Sequence, residues 1–426
     1  MESIPLSPID HVFTGVGSYP IEFVFAYADN IDEGRLRSSL EETLQHFPPA
    51  RSKLIRISDN SYVFEVSDDE VHFATVDSSV SFDETQERYS FIDPVNSVED
   101  EPLIRIRLTQ TPKGSVLGVS MSHAVADGFS YFYLLASWAR LFHAKSVLAP
   151  SHQRDLLIPA QPARDGRLTS EDVLRESGLF WEDKRDAIPR DQLVWETVTI
   201  SKPELRVLLQ KAQEECEIRL SHNDVIAASL WKRYIGKWNA GDEQLSTYVS
   251  CPVDFRRVLK PFPRTYFGCA VSLATASLDY GSLIDASMAQ LALKVRATVA
   301  GVNEGYIRNG LATLEALRRQ EGLSVLEESH VIHPHSGLLV TNLSRLPVQE
   351  IEFDAGPPIA YDILTPAPRG AVVLPGRDGV EIRVCCPAAI QSRVRPPESS
   401  SSSDRRLGRG SERPPAGIPT RGRDPA

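Results

Sequence analysis

A chain of 426 residues with 42% hydrophobic and 24% charged side chains exceeds what one hydrophobic core usually serves, so two soluble globular domains are expected. A formal net charge of −11 argues against a nucleic-acid partner, because phosphate binding needs a basic surface. No apolar run of about 18 residues exists to span a membrane, and Met1 to Pro8 lacks the basic and apolar segments of a secretory signal, which implies a cytoplasmic protein without a membrane partner.

The first half of the chain alternates strand and helix signals. Ile21 to Tyr27, rich in aromatic and β-branched residues, reads as a strand, and Asp32 to Phe47 as a helix with Leu36, Leu40 and Leu44 at helical spacing. Strands are expected again at Leu54 to Ile57, Tyr62 to Val66, Leu103 to Leu108 and Ser115 to Met121. A helix then runs from Phe129 to His143, with Phe129, Phe132, Leu135, Trp138 and Leu141 as a mostly buried stripe.

Between that last strand and this helix stands Ser-His-Ala-Val-Ala-Asp-Gly, residues 122–128. A histidine leaving a strand end can point into a cleft, and an imidazole can take a proton from an alcohol or amine and return it. His123 is therefore a candidate base. Asp127 could orient the ring or lock the turn that presents it, and Gly128 permits a tight backbone where most residues would clash. A buried, hydrogen-bonded histidine or a surface turn would produce the same local pattern.

Residues 145–200 look like a connection, with prolines at 150, 159, 162 and 189. The expected division is an N-terminal domain over 1–185, a crossover over 186–200 and a C-terminal domain over 201–387. In the latter, Pro203 to Glu215 is helical, and Ser221 caps a helix through Val225, Ile226, Leu230, Trp231 and Tyr234. Strands are expected at Leu245 to Pro252, Gly268 to Ala274, Gly337 to Thr341 and Gly379 to Cys385, with helices at Ser282 to Val299 and Tyr306 to Gln320. The five cysteines (Cys216, Cys251, Cys269, Cys385 and Cys386) show no framework of paired spacings, which fits a reducing compartment. His333-Pro-His335 has no Cys or acidic cluster beside it, so no metal site is expected. Residues 388–426 hold eight Arg, no Lys and no aromatic residue, and cannot bury enough apolar surface to fold. That tail reads as out-of-frame translation of a GC-rich gene in place of a final helix, a reading that an intact frame on resequencing excludes.

Five segments together resemble the BAHD acyltransferases, plant and fungal enzymes that move acyl groups from coenzyme A. Leu6-Ser-Pro-Ile-Asp10 resembles their opening Leu-Ser-x-x-Asp, and His123 to Gly128 their His-x-x-x-Asp-Gly. Val253-Asp-Phe-Arg-Arg257, continuing to Tyr266-Phe-Gly268, is similar to their Val-Asp-x-Arg…Tyr-Phe-Gly-Asn segment, and Asp224 to Trp231 to their Asp-Val-Leu-x-Ala-x-x-Trp helix. Thr341-Asn-Leu-Ser-Arg-Leu-Pro347 is similar to the strand before the second signature, Asp-Phe-Gly-Trp-Gly, where this chain has Glu352-Phe-Asp-Ala-Gly356. These departures, with Cys269 in place of the family's Asn, resemble a divergent, fungal- or bacterial-like member.

The resemblance covers residues 5–387 and implies an α/β fold of two chloramphenicol-acetyltransferase-like sandwiches with a tunnel between them. It implies His123 as general base for transfer of an acyl group from acyl-CoA, a co-substrate and not a bound cofactor, to a hydroxyl rather than an amine of a specialised metabolite. It favours Asp127 as a brace for the loop, paired with Arg256 or Arg257, over a His–Asp dyad. Thr341, Asn342 and Ser344 are candidates for contact with the thioester oxygen or the pantetheine arm, or they satisfy backbone groups at a strand end. The expected protein is a monomer. Its rivals are a condensation-type domain fed by carrier proteins, which usually carries a second histidine where this chain has Ser122, and a degenerate homologue that only binds a small molecule.

Overall fold

The computed structural model describes residues 2–15, 18–69, 71–85, 87–160, 169–182, 188–239 and 243–391. Two sheets organise it. The first has five strands in the order Ala360–Ile363, Ile21–Ala26, Gly114–Met121, Ile104–Thr111 and His72–Asp77, antiparallel except for the last pair. Both central strands are buried at every residue, because packed layers cover both faces, and such strands read as continuous apolar runs. Phe23, Phe25 and Tyr27 face the main core, whereas Val24 and Ala26 join a smaller cluster with Phe91, Ile92, Val116 and Leu364 on the opposite face.

Helices Glu33–His46 and Gly128–Phe142 lie side by side in the main core layer. Trp138 locks them: its indole N–H donates to the Leu36 carbonyl at 3.1 Å and to Ser39 Oγ at 3.0 Å. Phe132, Leu135 and Trp138 are buried as the stripe requires, while Phe129 at its margin is exposed.

The second sheet has six strands in the order Val271–Asp279, Ser246–Asp254, Gly337–Asn342, Gly370–Gly376, Gly379–Pro387 and Leu193–Ser201. Gly337–Asn342 runs parallel to both neighbours and the other pairs are antiparallel. Helices Lys202–Glu214, His222–Leu230 and Met288–Gly301 pack together beside it.

Several elements differ from the sequence expectation. Leu193–Ser201, inside the segment read as crossover, is an edge strand paired residue for residue with Gly379–Pro387. Its Glu196, Thr197 and Thr199 mask the strand pattern, since an edge strand keeps one side wet. Ala360–Ile363 returns from the second half to pair with Ile21–Ala26, so the first sheet is completed by residues far beyond 185. The helix expected over Ser282 to Val299 is two helices, Tyr280–Asp285 and Met288–Gly301, separated where Ser287 caps the second through a bond from Gln290 N–H. The strand expected from Gly268 begins only at Val271, because the backbone of Gly268 and Ala270 is engaged at the site described below. All five cysteines are free thiols. No helix among the described residues is long and apolar enough to cross a membrane. Of the expected tail, Ala388–Gln391 is helical, and residues 392–426 lie outside the described residues.

Candidate active site

The strand Gly114–Met121 ends in a turn that carries His123. Ser122 shapes the turn: its hydroxyl meets Ser97 Oγ at 2.7 Å and accepts from Ala124 N–H, while its carbonyl accepts from Val125 N–H. Phe13 stacks on the imidazole with ring centres 4.0 Å apart and planes 14° from parallel, and Tyr19 meets it edge-on at 6.3 Å. The ring is held between two aromatic surfaces. Its Nδ1 is buried with no partner in another residue.

Burial pushes the His123 pKa down to about 4, against the opposing pull of its own backbone oxygen and of Asp127. The imidazole is therefore neutral at pH 7 and able to accept a proton. With a folded pKa below the ordinary value of 6.5, the native state binds fewer protons than the unfolded chain between those two pH values. Stability contributed by this group is thus complete above about pH 6.5 and is lost as pH falls toward 4. If this ring is the base, acceptor-dependent kcat/KM stays level on its acid side down to about pH 5 and declines nearer 4, where the ring charges. An acid limb centred near 6.5 would show that burial does not lower the pKa of this ring, and an acid limb of the same midpoint in residual His123→Ala turnover would refute the assignment.

Asp127 points away from the histidine. One oxygen accepts from Ser130 N–H at 2.8 Å and Arg256 Nη2 at 3.2 Å, and the other from Arg256 Nη1 at 2.7 Å and Ala270 N–H at 3.0 Å. Burial raises its pKa, but the Arg256 guanidinium and these donors outweigh burial and hold the carboxyl below its usual range. No hydrogen bond joins Asp127 to His123, so a ring-orienting dyad is not what the geometry holds. Asp127 is also the N-cap of helix Gly128–Phe142, which explains why helix and loop share one anchor. Arg256, 2% exposed, spends its remaining donors on Tyr266 and Gly268 carbonyls, Asp254 and Ser130 Oγ. Arg257, the other partner considered, is exposed and reaches only Asp254.

Gly128 serves close approach rather than a left-handed backbone: a Cβ there would sit 3.3 Å from Leu343 Cδ2. That contact seats the loop after strand Gly337–Asn342 against the histidine turn. In this loop Asn342 Oδ1 accepts from Ser344 Oγ at 2.6 Å and Ser344 N–H at 3.1 Å, and its amide donates to Asn223 at 2.9 Å. Asn342 and Ser344 therefore already cap a strand end, and Thr341 stands half-buried on the strand itself.

One buried group escaped the sequence reading. Arg154, 1% exposed, pairs with Asp10 at 3.1 Å, donates to the Val125 carbonyl at 3.2 Å and to the Phe267 carbonyl at 3.4 Å, and lies over the Phe64 ring. It joins the N-terminal helix, the histidine turn and the Tyr266–Gly268 segment. Nothing local in Gln153-Arg-Asp-Leu distinguishes it from a surface arginine. Replacing Arg154 by Ala leaves Asp10 buried without its cation and is expected to lower stability by about 3–5 kcal/mol in a denaturant titration.

Within Glu352-Phe-Asp-Ala-Gly356, Phe353 packs against Tyr27, Trp138 and Phe142. Asp354 accepts from Asp32 N–H and faces Arg35 at 3.6 Å, and Gly356 takes a φ of +80°. This segment clamps the two long helices and contributes no group to the histidine. Burial pushes the Cys269 thiol well above its usual pKa, so it is inert packing. His333 stacks on Tyr248, and no cluster of three metal-binding side chains exists among the described residues.

Comparison with known proteins places this arrangement. The model of the Transferase family matches residues 1–393. The chain is 29% identical over 374 residues to hydroxycinnamoyltransferase 2 of Oryza sativa subsp. japonica, covering 82% of each. It is 26% identical over 376 residues to anthranilate N-benzoyltransferase protein 1 of Dianthus caryophyllus, covering 82% of this chain and 80% of the relative. In structure it is similar to F. graminearum TRI101 complexed with coenzyme A and deoxynivalenol, with a TM-score of 0.73 at 14% identity over 92% of this chain and 97% of that one. Vinorine synthase follows with a TM-score of 0.68 at 18% identity, over 93% and 92%. These likenesses give the fold as two chloramphenicol-acetyltransferase-like α/β halves. With the family model running nearly end to end and the His-x-x-x-Asp-Gly turn lying where the halves meet, the chain belongs to the Transferase family, the BAHD acyltransferases.

Proposed function

We propose that this enzyme moves an acyl group from acyl-CoA to a hydroxyl of a specialised metabolite, with His123 as general base. The observation that carries the reading is the half-buried imidazole stacked on Phe13 at the end of Gly114–Met121, on a turn fixed by two arginine clusters. An alcohol holds its proton far too tightly to attack a thioester unaided at pH 7. The imidazole takes that proton as the oxygen attacks the thioester carbonyl, and returns it to the departing CoA thiolate as the carbon–sulfur bond breaks. Such help is worth about 10²–10⁴ in rate, and positioning supplies much of the rest. Transfer is direct, without an acyl-enzyme, and Asp127 with Arg256 acts on the turn and not on the substrate.

Thr341, Asn342 and Ser344 lie on the loop seated against Gly128 and are proposed to meet the pantetheine arm, the bonds within the loop presetting its shape. The protein acts as a monomer in the cytoplasm. One observation favours an amine acceptor as a second reading: relatives that match most of the chain are named as N-acyltransferases. A panel of acyl-CoAs against alcohols and amines, read by mass spectrometry of products, decides between ester and amide. Turnover only with carrier-protein donors, or CoA release equal to that of His123→Ala, would overturn the proposal.

A further inference from the structure

Among the described residues, no group of another residue bonds to the buried Nδ1 of His123, and Asp127 is turned to Arg256. Hydrogen bonding therefore does not aim this ring. Rotation of an imidazole about its bond to Cβ is soft, with broad wells in place of three staggered ones. A general base works only while its lone pair lies in line with the proton it takes, and a misplacement of about 1 Å can cost 10²-fold in rate. Phe13 is placed to supply the missing constraint. Its ring lies 4.0 Å from the imidazole and 14° from parallel, so turning the imidazole out of its plane drives an edge into the Phe13 face. The two segments are bridged on both sides of this stack. Buried Ser97 accepts from Gly15 N–H at 2.9 Å through its carbonyl and meets Ser122 Oγ at 2.7 Å through its hydroxyl. Arg154 joins the Asp10 carboxylate to the Val125 carbonyl. Asp10 and Gly15 flank Phe13 in the chain as Ser122 and Val125 flank His123, so each ring stands between two cross-links.

We infer that Phe13 is a positioning residue of the reaction: its face holds the His123 imidazole in the plane from which Nε2 takes the acceptor proton, and supports the positive charge that the ring then carries. The inference rests on the general-base reading above. Nδ1 is the buried nitrogen, which leaves Nε2 for the reaction. The proton passes from the acceptor O–H to Nε2 as the new carbon–oxygen bond forms, and from Nε2 to the CoA sulfur as the carbon–sulfur bond breaks. Phe13 exchanges nothing. A cation over a phenyl face is attracted by the ring's quadrupole. One aromatic side chain thus performs both tasks, orientation and charge support, that a carboxylate performs in a His–Asp pair.

Two replacements separate the flat face from mere bulk. Phe13→Leu keeps an apolar side chain and removes the face, whereas Phe13→Tyr keeps the face. Rates are taken per folded enzyme, with acyl-CoA and acceptor varied in turn. The expected result is a kcat lower by about tenfold or more in Phe13→Leu, a KM for acyl-CoA within about threefold of wild type, and most of kcat retained in Phe13→Tyr. Added to His123→Ala, Phe13→Leu should cost nothing further, because the two residues act as one unit. Carbon-13 relaxation of the imidazole reads the same claim without turnover, the resonance being assigned by its loss in His123→Ala. The ring should be rigid in wild type and Phe13→Tyr and mobile in Phe13→Leu. A freely mobile ring in the wild type overturns the inference even where no Phe13 variant folds. So does a folded Phe13→Leu enzyme with wild-type kcat, or a loss in Phe13→Tyr as deep as in Phe13→Leu. Equal turnover by wild type and His123→Ala overturns the general-base reading instead, and this inference with it.

Discussion

Asp127→Ala is expected to yield largely insoluble or loosely folded protein, with stability reduced by about 3–5 kcal/mol where it can be measured. Three effects act together. Arg256, almost wholly buried, loses the anion that compensates its own desolvation. Helix Gly128–Phe142 loses its N-cap, worth about 1 kcal/mol by itself. The N–H of Ala270 loses its acceptor, which loosens the Tyr266–Ala270 segment and leaves it tied to the turn only through Gly268. Arg256→Ala should do comparable damage, and the double variant should cost clearly less than the sum, because both singles break one shared network. Thermal and denaturant unfolding of the four proteins measures this. A soluble Asp127→Ala protein with an unchanged melting point and no activity would instead restore a direct role for the carboxylate.

His123→Ala is expected to behave in the opposite way. It should remain folded, because the ring contributes a stack with Phe13 but anchors no hydrogen bond to another residue. Turnover should fall by about 10²–10⁴, the usual worth of a positioned base. The remainder over the uncatalysed reaction comes from holding thioester and alcohol together, which the variant keeps. Binding of acyl-CoA should therefore change little while kcat collapses, the signature of an interaction made only in the transition state. On the proposed reading the two replacements separate two roles within residues 122–128, one position acting on the reaction and the other on the fold.

The parts of this site that a sequence discloses are the local ones. The order of strand, turn and helix around His123 was legible because three features meet within thirty residues: an apolar run, a capping Asp-Gly pair and a 3.6-residue stripe. Arg256 stands 129 positions from Asp127 and entered only through resemblance to a known segment. Arg154 was invisible, since its importance arises from burial between Asp10, Val125 and Phe267, none of them near it in sequence. The same physics hid strands Leu193–Ser201 and Ala360–Ile363. Each is defined by a distant partner, one at a wet edge and the other only four residues long. Asp127 was open to two roles for a related reason: a carboxylate four residues from a histidine declares nothing about which way it faces. Its four donors settle the direction.

The proposed proton transfer by His123 is the step on which acyl transfer depends. Its most direct test is acceptor-dependent release of CoA thiol at pH 7 by wild type and His123→Ala, at matched folded fraction, with product confirmed by mass spectrometry. The expected result is acceptor-dependent release by the wild type and a rate lower by about two to four powers of ten in the variant, with acyl-CoA still bound. Equal rates from two folded proteins would contradict it.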